Sequence, residues 1–255
     1  IRQRSVSRGL GDVYKRQGQV ITGLIREDSE IEITAGIDPA EAPDCGYPVF
    51  SRPEDCPGEA DVVIDFSSYK AVDGILDFCL EKKLPLVLCT TGLTEEQLEK
   101  VKEYSGKIPI LRSANMSMGI NLLLKLIQEA AKVLAGAGFD MEIVERHHKL
   151  KCDAPSGTAL ALADSLNEAM GGRYHYVYDR SQSHEPRSAD EIGISAVRGG
   201  SIVGDHEILF AGPDEVIELK HTAYSKAVFG KGAVEAAKFL AGKPAGLYTM
   251  SDVIG

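Results

Sequence analysis

The stretch ADVVIDFSSYKAVDGILDFCLEKKLPLVLCTTG, residues 60–92, decides the fold. It opens on VVIDF, an apolar and β-branched run too short for a buried helix and closed by small polar residues. SSYKAVDGILDFCLEKK follows, with apolar positions at helical spacing and serines placed to cap the first turn. LPLVLCTTG then repeats the apolar strand and its small polar ending. Near-continuously apolar strands, joined through a helix, belong to a parallel sheet covered on both faces.

The same pattern extends outward. EIEITAGID (30–38) and KIPILRSAN (107–115) read as further strands, and TEEQLEKVKEYSG (94–106) as a capped helix. In such a sheet ligands bind outside the carboxyl ends of the strands, which makes the CTTG and SAN endings candidate crevice residues. After a long amphipathic helix, SMGINLLLKLIQEAAKVLAGAG (117–138), the character changes. FDMEIVERHH, EIGISAVRGG, GDHEILFAGP and EVIELKHTAYS read as strands of a mostly antiparallel sheet, with one helix opened by Pro155-Ser156. The expected organisation is α/β: a Rossmann-like parallel-sheet cofactor domain (1–117 and 226–255) and an α+β domain (118–225).

A net charge of −10 excludes nucleic acid and anionic membranes as main partners, because both select basic surfaces. The five cysteines are scattered and contain no C-x-x-C pair, which fits reduced thiols in a cytoplasmic protein. No apolar run approaches the ~18 residues of a membrane span.

Residues 1–17, IRQRSVSRGLGDVYKRQ, do not fit a dinucleotide-binding half, which should begin with an apolar strand and a glycine-rich turn. They hold five basic residues and one acid, and Gly9, Gly11 and Gly18 lack G-x-G-x-x-G spacing. An Arg/Ser-rich transit peptide and a real but degenerate loop are two readings of this run; the favoured third is that SRGLGDVYKRQ is translated adaptor sequence joined to a truncated gene, so residues 1–17 are expected to be non-native. On this reading the first helix starts at Gly18, the surviving glycine of the loop, and the chain binds dinucleotide poorly.

The chemistry concentrates in ERHHKLKCDAPSGTAL, residues 145–160. Strand alternation puts Glu145, His147 and Lys149 on one face and Arg146 and His148 on the other. Pro155 and Ser156 then cap a helix whose free amides and dipole make an anion seat, open at Gly157. His147, His148, Lys149 and Lys151 beside that seat suit a small carboxylate that is handed a proton. Solvated strand-end charge with ordinary capping is the plainer alternative. Zinc fits poorly, because adjacent strand histidines point apart and no further ligand has matching spacing. Cys152 beside Lys151 is either a slightly acidified thiol or a small loop residue. His184, His206 and His221 read as structural, with His206 the first to test.

These residues resemble the signature of the 4-hydroxy-tetrahydrodipicolinate (dihydrodipicolinate) reductase family, E-x-HH-x-x-K-x-DAPSGTA. The likeness extends to DFS (65–67), TTG (90–92), SANMSMGIN (113–121), RGGSIVGDHEILFAGPDE (198–215) and the GLYTMSDV ending. It implies NADH- or NADPH-dependent reduction of a dicarboxylate in lysine and diaminopimelate biosynthesis, with His147 as proton donor/acceptor and Lys151 as proton donor. His148, Gly157 and Thr158 match substrate contacts. Gly18, Asp38, Cys89, Thr90, Thr91, Ser113, Ala114, Asn115 and Met116 match the cofactor side. The resemblance further implies a hinge between the domains, substrate binding and assembly by the second domain, a homotetramer, and no metal.

Two departures stand out. The family's G-x-x-G-x-M-G loop is reduced to Gly18, and Asp38 is followed by Pro39-Ala40 with no arginine to meet a 2′-phosphate. An acid there favours a ribose hydroxyl, so NADH should serve at least as well as NADPH. Another two-domain dehydrogenase, acting on a sugar or semialdehyde, and a non-catalytic dinucleotide sensor are the rival readings. Neither needs HH-x-x-K beside DAPSGT.

Overall fold

The computed structural model describes the backbone of residues 3–9, 11–39, 45–113 and 115–255, and the side chains of those from Gln17 onward. The chain forms two compact units, residues 1–118 with 227–255 and residues 119–226; the sequence placed the divisions one residue earlier.

The first unit carries seven parallel strands: β1 (Gln3–Gly9), β2 (Ile31–Ile37), β3 (Val49–Phe50), β4 (Val62–Phe66), β5 (Leu86–Leu88), β6 (Pro109–Arg112) and β12 (Gly246–Tyr248). Their order is β12-β6-β5-β4-β1-β2-β3, so the winding reverses between β1 and β4. Helices α1 (Gly11–Arg26), α2 (Val72–Lys82), α3 (Glu95–Ser105) and α6 (Ala227–Leu240) lie in this unit. Val62, Val63, Ile64, Leu86, Val87 and Leu88 are all buried, because helices cover both faces of the sheet. One core layer gathers Val63, Leu86 and Leu88 with Ile75 and Leu76 of α2; the other gathers Val62, Ile64 and Val87 with Ile21 of α1 and Ala233 of α6. Thr94 opens α3 through a reciprocal capping box with Gln97.

The start of the chain corrects the sequence reading. Gln3–Gly9 forms a central strand in register with β2 and β4, and the helix begins at Gly11 rather than Gly18. QRSVSRG has weak strand propensity, but β2 and β4 present facing backbone ladders that this segment completes; pairing outweighs propensity. Gly9 thus ends the strand and Gly11 opens the helix, while Gly18 lies about two turns inside it.

Gly232 of α6 is fixed by a close approach, since a Cβ there would sit 1.7 Å from the Met116 carbonyl oxygen. Gly232→Ala should cost about 1–3 kcal/mol or more, because backbone has to move. Gly74→Ala in α2, where a Cβ meets nothing within 4 Å, should be neutral or stabilising by up to ~1 kcal/mol. Paired urea-unfolding midpoints check both.

The second unit holds a five-stranded sheet, β11-β10-β7-β9-β8, built from β7 (Asp140–His147), β8 (His175–Val177), β9 (Glu191–Arg198), β10 (Gly204–Ala211) and β11 (Val216–Ala223). Helices α4 (Met118–Leu134) and α5 (Gly157–Ala169) share its core with Met141, Ile143, Ile192, Ile194, Ile208 and Phe210. The expectation of a mostly antiparallel sheet is corrected. β7 pairs β10 and β10 pairs β11 antiparallel, but β7–β9 and β8–β9 are parallel. The chain passes through α5 between β7 and β9, and a helical crossover returns the strand in the same direction.

Candidate active site

In β7 every second residue is buried: Met141, Ile143, Glu145, His147. The core-facing stripe therefore runs from two hydrophobic residues into a carboxylate and an imidazole at the strand's end. Glu145 is 0% exposed. Burying a lone carboxylate is costly, and four donors offset that cost. Arg198 at the end of β9 grips it with both terminal nitrogens, Nη1 to Oε2 and Nη2 to Oε1, each at 2.7 Å. The His147 Nδ1 lies 2.6 Å from Oε2, and the Ser156 backbone N–H donates to Oε1 at 3.0 Å. Burial alone would raise this carboxyl, but the Arg198, His147 and Ser156 hydrogen bonds outweigh it and hold it below the usual range.

Ser156 is the N-cap of α5, accepting from the Ala159 N–H at 3.1 Å. Its hydroxyl also lies 3.0 Å from His206 Nε2. Burial, followed by the neighbouring His147, lowers the His206 pKa to about 4, so at neutral pH the ring is uncharged and shares a neutral hydrogen bond with the serine hydroxyl. The His147 and His206 rings meet edge-to-face at 5.1 Å.

Past β7 the strand parity ends: His148 is half-buried and Lys149 exposed. The Lys151 Nζ lies 2.8 Å from Oδ2 of Asp153, three residues before the cap. Gly157, the first helical residue, is exposed, and a Cβ on it would meet nothing within 4 Å. Thr158 follows in the same turn. The backbone amides and positive dipole end that open α5 are what an anion would meet at this helix start.

In the first unit the candidate cofactor residues stand at carboxyl ends of parallel strands. Asp38 follows β2, its N–H donating to the Phe50 carbonyl at 2.9 Å. Cys89, Thr90 and Thr91 follow β5, and Ser113, Asn115 and Met116 follow β6; Ala114 lies outside the described residues. Asp65 at the end of β4 is fully buried and accepts from the Thr90 hydroxyl at 2.7 Å and the Ser67 N–H at 3.1 Å. It ties the β4 and β5 ends together, and its charge adds to burial in pushing the Cys89 thiol well up. Strand ends in a row at the reversal of winding, with an acid after β2, are where a doubly wound sheet receives a dinucleotide.

A chain so built falls in the class of two-domain NAD(P)-dependent oxidoreductases. Family models described as "Dihydrodipicolinate reductase, N-terminus" and "Dihydrodipicolinate reductase, C-terminus" match residues 15–116 and 119–254. The 4-hydroxy-tetrahydrodipicolinate reductase of Caldanaerobacter subterraneus subsp. tengcongensis is 52% identical over 239 residues, 94% of both chains. That of Clostridium tetani is 47% identical over 94% of this chain and 93% of its own. A dipicolinate-bound dihydrodipicolinate reductase from Paenisporosarcina sp. TG-14 shares the fold at TM-score 0.81 and 24% identity, with 98% of each chain covered. The chain belongs to the dihydrodipicolinate reductase family. Its reaction is the NADH- or NADPH-dependent reduction of 4-hydroxy-tetrahydrodipicolinate to tetrahydrodipicolinate, with loss of the 4-hydroxyl as water, in lysine and diaminopimelate biosynthesis.

Sequence reasoning missed three residues of the cluster and one of the cofactor edge: Arg198, Ser156 as more than a cap, the His206 contact, and Asp65 as a brace. Glu145 was placed on the His147 face but given no role. Its position two residues before His147 on an otherwise apolar stripe was the available signal.

Proposed function

We propose that the second unit seats the dicarboxylate on the Gly157 and Thr158 amides, with His148 beside it, and that Lys151 and His147 deliver the proton. The observation that supports this reading is that Glu145 joins His147 to the Ser156 amide at the opening of α5, with Lys151 paired to Asp153 three residues before that cap. Reduced nicotinamide supplies the hydride. Charge that develops on the ring nitrogen side of the substrate as hydride arrives needs a proton, and an ammonium held beside the bound carboxylates is placed to give it. Lys151 is the general acid, and His147 shares the proton path. Asp153, which holds the lysine head at 2.8 Å, yields that contact to the substrate carboxylate.

The first unit binds the dinucleotide through Asp38, Cys89, Thr90, Thr91, Ser113, Ala114, Asn115 and Met116. The second also serves assembly into a homotetramer, a reading supported by exposed Val197 and Val216 on its sheet. No helix among the described residues is long and apolar enough to cross a membrane, and we place the enzyme in the cytoplasm.

A coupled assay tests the function. When the lysine-pathway synthase supplies its product, this chain should consume reduced nicotinamide at saturating cofactor, and kcat/KM for NADH should equal or exceed that for NADPH. Consumption with sugars or semialdehydes instead would favour a rival dehydrogenase. A clear NADPH preference would remove the role given to Asp38.

A further inference from the structure

We propose that Glu145 is a positioning residue: it fixes the His147 imidazole with the proton on Nδ1 and the lone pair on Nε2, and ties that ring to the mouth of α5. The argument rests on the reading of His147 as a proton-transferring group, and adds which ring atom transfers.

The geometry leaves Glu145 little freedom. It is fully buried, gripped through both oxygens by Arg198, and holds the Ser156 amide as well as His147. An ionised carboxylate only accepts hydrogen bonds, so the 2.6 Å contact requires a proton on Nδ1. Among the described residues Nε2 forms no hydrogen bond. Space beside it is kept by Gly204, where a Cβ would come within 3.1 Å of Nε2. The neutral ring therefore presents its basic nitrogen on the edge away from Glu145. When Nε2 takes a proton, the buried carboxylate neutralises the cation. Ser156 makes the link to the anion seat, since its N–H is held by the same carboxylate while its hydroxyl caps α5 and meets His206. Charged and titratable groups facing this carboxylate are Arg198 from β9, His147 on its own strand, and His206 opposite it in the β10 register. Lys151 stands near enough to act electrostatically on His206.

A purely structural ion pair would stabilise the fold without selecting a tautomer. Long-range imidazole nitrogen–proton correlation NMR on the isotope-labelled chain separates the two roles, with the His147 ring assigned from its loss in His147→Gln. In the unmutated protein the neutral His147 ring should show a protonated Nδ1 and a bare Nε2. In Glu145→Gln that preference should be lost, and turnover at saturating substrate should fall about tenfold or more. A protonated Nε2 in the unmutated protein overturns the proposal without any variant having to fold. So does an unchanged tautomer in folded Glu145→Gln. Full turnover in His147→Gln, with the tautomer result intact, overturns the proton-transfer reading instead and leaves the ring assignment standing.

Discussion

Lys151→Ala should lower kcat by roughly 10²–10⁴-fold while KM changes by only a few-fold. The asymmetry follows from where the lysine sits. On the proposed seat, the helix start at Gly157 and its dipole supply much of the ground-state attraction for a carboxylate, and these survive the substitution. What is lost is the ammonium that is paired with Asp153. Its proton matters most as hydride arrives, so the interaction is made in the transition state far more than in the ground state. Steady-state kinetics at saturating cofactor read the split. A rise confined to KM would make Lys151 a binding residue and return the proton to His147 alone.

Replacing residues 1–17 with an apolar strand and the family's glycine loop should raise dinucleotide affinity by about a hundredfold or more. The β1–α1 turn sits at the reversal of strand order, where a pyrophosphate would meet the helix start. The backbone already forms a strand there, with Gly9 and Gly11 at its turn, but the third position of a G-x-G-x-x-G run is Tyr14. Hydrogen bonds to a charged group contribute about 1.5–3 kcal/mol each, and misplacing two of them accounts for the expected factor. Fluorescence titration with NADH, before and after the replacement, measures it. Micromolar binding by the chain as it stands would show that Gly9 and Gly11 suffice.

Much of the fold was legible because local signals agreed. VVIDF and LPLVL are near-continuously apolar and buried on both faces, which suits a doubly covered parallel sheet, and Thr94 with Gln97 announces its helix start. The first strand was not legible. QRSVSRG carries no apolar run, and its extended form depends on two strands that lie 22 or more residues further along the sequence. The direction of β9 was missed for a related reason. Its residues read as a strand, but whether it returns beside β7 parallel or antiparallel is set by the α5 crossover.

The site divides in the same way. His147, Lys151, Ser156 and Gly157 fall within one segment, where strand alternation and capping chemistry reveal them. Arg198 and His206 reach the cluster only through strand pairing, His147 against Arg198 and Glu145 against His206. Nothing near either residue in the sequence predicts that it will meet a buried carboxylate or a helix cap.

The claim on which the rest depends is that a dicarboxylate is held by the amides opening α5. Backbone amide NMR during titration with pyridine-2,6-dicarboxylate tests it most directly. The Gly157 and Thr158 resonances should move and saturate together, with Lys151 side-chain signals following the same curve. Saturable shifts elsewhere in the chain while Gly157 and Thr158 stay still, or no shifts at all, would contradict the account.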